Sequence, residues 1–101
     1  MNRAAMLADA IQRQCSGLLE VAGPPAGMHL TAFLSPGVDD KIVADRALER
    51  GVTALPLSSF HLTAPSRQGL VLGFGDADAA AIERGVEVLA QTLREATKVG
   101  R

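Results

Sequence analysis

Hydrophobic periodicity along this chain points to an α+β fold: a two-layer sandwich in which a small, largely antiparallel sheet is covered by helices. Three stretches repeat apolar residues at helical spacing, at the start, middle and end of the chain. Between them lie four short apolar or alternating runs bounded by Gly, Pro and Ser, which read as strands. The order is therefore α-β-β-α-β-β-α, and 101 residues make one small domain, 1–101.

The first helix is expected over Asn2 to Cys15, with Ala4, Leu7, Ala8, Ile11 and Cys15 on one face. Ser16-Gly17 ends it, and Leu18 to Ala22 is a short strand. Gly23-Pro24-Pro25-Ala26-Gly27 is a turn cluster, because proline fixes φ while glycine opens positive φ. Met28 to Leu34 alternates, with Met28, Leu30, Ala32 and Leu34 on one side and His29, Thr31 and Phe33 on the other. Both sides are fairly apolar, so this strand is expected to be central and covered at least partly on both faces. His29 is then expected to be a hydrogen-bonded core or interdomain residue.

Asp39 is placed to cap the middle helix, whose buried stripe is expected to be Val43, Ala44, Ala47 and Leu48, with Gly51 as its terminator. Val52 to Leu57 reads as a strand, at an edge because of Pro56. Ser58 to Gln68 reads as a loop. Leu70 to Gly75 is a strand with Leu70, Leu72 and Phe74 on one face and Val71, Gly73 and Gly75 on the other. Asp78 caps the last helix, with Ile82, Val86, Leu89, Ala90 and Leu93 in register. Gly85 inside that helix costs about 1 kcal/mol relative to alanine, and close helix–sheet contact is the expected compensation. Lys98 to Arg101 reads as a tail.

Composition limits the function. Hydrophobic residues are 48% of the chain, enough for a packed core, while aromatics are 3%, so the core rests on aliphatic side chains. The net charge of −1, without a basic stripe, gives no footprint for direct nucleic-acid binding. No apolar run approaches the roughly 20 residues of a membrane span. A single cysteine, Cys15, cannot form an internal disulfide and fits a reducing cytoplasm. On the buried stripe it should behave as a small hydrophobe. One cysteine and two distant histidines are no metal-ligand pattern, and Asp39-Asp40 and Asp76/Asp78 read as helix caps rather than ligands.

The segment from Gly27 to Phe74 carries Gly27-Met28-His29-Leu30, Ser35-Pro36-Gly37-Val38-Asp39-Asp40, Arg50-Gly51-Val52, Pro56-Leu57-Ser58-Ser59-Phe60 and Arg67-Gln68-Gly69-Leu70-Val71-Leu72-Gly73-Phe74. In this order, closed by the helix from Asp78, it resembles the C-terminal small domain of fold-type I pyridoxal-phosphate (PLP) aminotransferases. It is most similar to the version in MocR-type regulators, where a GntR-type DNA-binding segment is fused to an aminotransferase-like body. The resemblance implies a parent protein whose large domain, absent from these residues, holds PLP. This chain would close over that PLP or effector site and be non-catalytic alone. The implied partner is that large domain, or a homo-oligomer partner. In the family an arginine on the strand before the last helix, in a pattern like Leu-Arg-Leu-Ser-Phe, holds the substrate carboxylate. Val71 stands at that position, which puts ordinary transamination in doubt.

The residues themselves add little chemistry. Lys41 follows two aspartates in a helix first turn and Lys98 lies in the tail, so neither is placed like a desolvated Schiff-base lysine, and no cofactor is expected on this chain. Arg67 and His61, in the loop before the last strand, are the candidate substrate- or effector-binding residues. An alternative is a free-standing ferredoxin-like ligand-binding or interaction module, since Met28 onward reads β-α-β-β-α.

Overall fold

The computed structural model describes residues 2–60 and 68–99. Helix α1 (Arg3–Gln14) is followed by strands β1 (Leu19–Val21) and β2 (His29–Leu34), helix α2 (Asp40–Glu49) and strand β3 (Ala54–Pro56). A 3-10 turn, Leu57–Phe60, then strand β4 (Gly69–Gly73) and helix α3 (Ala79–Val99) complete the order. The helices begin where local chemistry satisfies their first N–H groups. Asn2 accepts from the Ala5 N–H at 2.8 Å, Asp39 from Lys41 at 2.9 Å and Asp78 from Ala81 at 2.8 Å. Gly51, at φ 88°, turns the chain out of α2.

The four strands form one antiparallel sheet in the order β1-β2-β4-β3. Strands β2 and β3 are both antiparallel to β4 and hence parallel to each other, so α2 crosses over β4 to join them. Register aligns Leu30 with Leu72 and Ala54, and Ala32 with Leu70 and Val21. These residues face the helices. Leu30, Ala32, Leu70 and Leu72 are all buried, packed with Leu7, Ala10 and Ile11 of α1, Val43 and Ala47 of α2, and Ile82, Val86, Leu89 and Leu93 of α3.

Among the described residues the helices lie on one face, while on the other Thr31 and Phe33 of β2 are half-buried, the partial cover on both faces that was expected. Antiparallel sheets tolerate this because backbone pairing is complete within the sheet. His29 is exposed rather than in the core. Met28 is exposed too: Ala26 and His29 exchange backbone hydrogen bonds of 2.9 and 3.1 Å, leaving Met28 at the tip of a tight turn. The stripe of α2 is narrower than its periodicity suggests. Val43, Ala44 and Ala47 are buried, whereas Leu48 is 61% exposed. In α1 the fully buried positions include Ala10, which the expected stripe omits.

Two further expectations are corrected. Strand β3 ends at Pro56, and the chain turns at Leu57 into a 3-10 turn where a plain loop was expected. A Cβ at Gly85 would meet nothing within 4 Å, so no close contact compensates this glycine. It borders a cavity of about 90 Å³ shared with Leu72, Phe74, Ile82 and Leu89. The close approach is instead at Gly69, where a Cβ would lie 2.7 Å from the Ala32 carbonyl oxygen.

Polar side chains join the helices at their exposed rims. Arg13 of α1 pairs with Glu83 of α3 and, at 2.8 Å, with Asp9; Gln14 donates to Glu83 at 2.8 Å. The Glu83 and Asp9 carboxylates hold the Arg13 guanidinium more firmly protonated than usual. Arg50, at the end of α2, donates to the buried Thr92 hydroxyl at 3.0 Å and pairs with Glu95 at 2.5 Å. The Arg50 hydrogen bond, then that from Gln91, holds the Glu95 carboxyl below its usual range.

Candidate functional site

Because side chains alternate along each strand, the uncovered face of the sheet collects the residues between the core positions. Register sets out three rows. Glu20 lies opposite Phe33, which lies opposite Gly69. Thr31, Val71 and Leu55 form the middle row, and His29 and Gly73 the third. Val71 is thus at the centre of the open face, half-buried between Thr31 and Leu55, and Leu55 is 43% exposed. Phe33, Val71 and Leu55 are the apolar side chains of this face and Glu20, Thr31 and His29 the polar ones, and its strand residues among those described include no lysine or arginine. With a valine at the centre it can pack against another surface, but it cannot form the two-pronged hydrogen bond that a guanidinium makes with a carboxylate.

Of the candidate residues, His61 and Arg67 lie outside the described residues. Their described neighbour Gln68 is well anchored: its side-chain oxygen accepts from the Asp40 N–H at 3.0 Å, and its carbonyl from the Leu34 N–H at 3.0 Å. Lys41 is exposed at the start of α2. An exposed lysine lacks the desolvated surroundings that favour Schiff-base formation. Among the described residues no three of His, Cys, Asp and Glu cluster as a metal site would require. Cys15 is fully buried, and burial pushes its thiol up to about 11 against the opposing charge of Arg94. It packs as a small apolar group.

A groove of about 570 Å³ runs past the end of α1 and the free edge of β1, lined by Ile11, Leu19, Val21, Phe33 and Leu34, with Gln12 and Glu20 supplying polar groups. Sequence reasoning did not single it out, because its walls come from elements that only the fold brings together.

Asp40 was also missed as more than a cap. Asp39 is the cap; Asp40, the next residue, is 0% exposed. Its carboxyl group accepts from the Ser58 N–H at 2.9 Å, the Ser58 hydroxyl at 2.7 Å and the Gly69 N–H at 3.2 Å. Nothing local separates it from a solvated first-turn acid, since its partners lie 18 and 29 positions away.

The sheet order and helix arrangement occur in known aminotransferases. The alpha-aminoadipate aminotransferase LysN of Thermus thermophilus, solved with N-(5'-phosphopyridoxyl)-L-leucine, superposes with a TM-score of 0.83 at 24% identity over 96% of this chain and 25% of its own. The multiple substrate aminotransferase of Thermococcus profundus matches with a TM-score of 0.83 at 27% identity, over 96% of this chain and 24% of its own. The kynurenine aminotransferase of Pyrococcus horikoshii, solved with PMP, gives 0.79 at 26% identity over 92% and 23%. In sequence, the curated Aromatic-amino-acid aminotransferase 1 of Thermococcus litoralis is 29% identical over 75 residues, 74% of this chain and 18% of that protein. No family model matches the chain. Its structural and sequence neighbours are aminotransferases, and it spans about a quarter of the solved ones and less than a fifth of the curated one. No helix among the described residues is long and apolar enough to cross a membrane.

Proposed function

We propose that this chain is the C-terminal small domain of a longer aminotransferase-like protein of MocR/GntR type, acting in the cytoplasm. In that reading residues 1–101 are one domain that closes over a PLP or effector site held by a large domain, and do no chemistry alone. The observation that carries the proposal is the likeness to aminotransferases over nearly the whole of this chain and only a quarter of theirs. The sheet face away from the helices, with Phe33, Val71 and Leu55 across three strands, supports it, being a surface that can pack against such a partner. The regulatory branch is favoured by Val71 at the centre of that face, the position where the family resemblance implies an arginine. Arg67 and His61 are proposed as substrate or effector contacts in the assembled site.

With a net charge of −1 the chain is not expected to bind DNA itself, a task assigned here to another part of the parent. The free-standing ferredoxin-like reading gains no observation of its own. Assay of the full-length parent with common amino acids, beside its Arg67→Ala and Val71→Arg variants, tests the proposal. Slow turnover is expected, increased by Val71→Arg, because a forked carboxylate contact is worth several kcal/mol, about tenfold in rate for each 1.4 kcal/mol. Rapid turnover unaffected by Arg67→Ala would place the carboxylate contact elsewhere and overturn the argument from Val71.

A further inference from the structure

We propose that Asp40 is a latch on both feet of the β3–β4 connection, and that it works through hydrogen-bond geometry rather than charge. One carboxyl oxygen, Oδ2, accepts from the N–H groups of Ser58 and Gly69 at 2.9 and 3.2 Å. The other, Oδ1, accepts from the Ser58 hydroxyl at 2.7 Å. Ser58 lies in the 3-10 turn just after β3, and Gly69 opens β4. The Asp40 N–H adds a fourth bond, to Gln68. A single buried residue on α2 therefore fastens the chain where it leaves one strand and where it enters the next. Among the described residues no buried side-chain polar atom lacks a partner, so the latch is fully satisfied as built.

The geometry makes a specific demand. An asparagine at this position can place its carbonyl oxygen where Oδ2 sits and keep both N–H donors. Its NH₂ then takes the place of Oδ1 and donates to Ser58, whose hydroxyl can rotate from donor to acceptor. All three side-chain contacts survive without the charge. Alanine keeps none, and strands the buried Gly69 N–H and the part-buried Ser58 N–H at the feet. The pairing of β1 with β2 and of α1 with α3 does not pass through Asp40, so the opening is local.

Amide hydrogen exchange at Ser58 and Gly69, with Ile11 and Leu89 as core references, is the test. Asp40→Asn is expected to stay within about threefold of wild type at both feet, and Asp40→Ala to exchange at least about tenfold faster there with the references unchanged. The near-isosteric Asp40→Leu, which removes both oxygens but keeps the side-chain volume, should behave like Asp40→Ala at both feet and carries the same contrast if Asp40→Ala does not fold. Fast exchange at the feet in Asp40→Asn would show that charge is the requirement and overturn the proposal. So would an Asp40→Leu variant as protected at the feet as Asp40→Asn, or one whose protection is lost equally at Ile11 and Leu89.

Discussion

A methyl group on residue 69 would sit 2.7 Å from the Ala32 carbonyl oxygen and 3.0 Å from a Leu57 methyl. The first is backbone in a paired strand and cannot step aside. Gly69→Ala should therefore destabilise the fold by about 1–3 kcal/mol, the usual range for overpacking, read as a lower midpoint in urea unfolding. Cys15 gives a second test at this scale. Its thiol is raised by burial from 9.0 to about 11. Between these values the unfolded chain loses the thiol proton while the folded chain keeps it, so stability falls as pH rises through that window. Cys15→Ala should flatten the fall between pH 9 and 11 relative to wild type, in unfolding curves taken across that range. At pH 8 the native thiol should react with a disulfide reagent at least about 100-fold more slowly than in denaturant, following its smaller thiolate fraction. Equal rates would mean that Cys15 is accessible.

Within an element, the local energies of α3 and its packing can be separated at Gly85. With nothing within 4 Å of an added Cβ and a small cavity alongside, alanine gains helix propensity without a clash. Gly85→Ala should stabilise by about 0.5–1 kcal/mol, a rise in Tm of several degrees for a domain this size. A lower Tm would show that the helix must approach the sheet more closely than the structure has it. This position also shows what the sequence could convey. Element order and helix starts were legible because caps such as Asp39 and Asp78 act on neighbours two or three residues away. The alternation of β2 was legible, but not that a single helical layer covers it, since Thr31 and Phe33 suit a half-buried open face as well as a covered one. Leu48 shares the period of α2 yet lies beyond its contact with the sheet. Asp40 and Gly69 owe their roles to partners far along the chain, which no local pattern encodes. Of the candidate site, the place of Val71 on the face opposite the core followed from alternation alone, whereas His61 and Arg67 fall outside the described residues.

At the scale of the whole molecule, the three helices among the described residues lie on one side of a four-stranded sheet, and Val71 sits at the centre of the other. The proposed function makes this the half of a site whose cofactor-holding lysine lies in another domain. Lys41 and Lys98 are the only lysines available here, and the described one is exposed. The most direct measurement is borohydride reduction of the complete translation product containing this chain, after incubation with PLP, followed by peptide mapping. The expected result is stoichiometric phosphopyridoxyl label on one lysine outside residues 1–101. Label on Lys41 or Lys98, or no site-selective label anywhere in the product, would contradict the account.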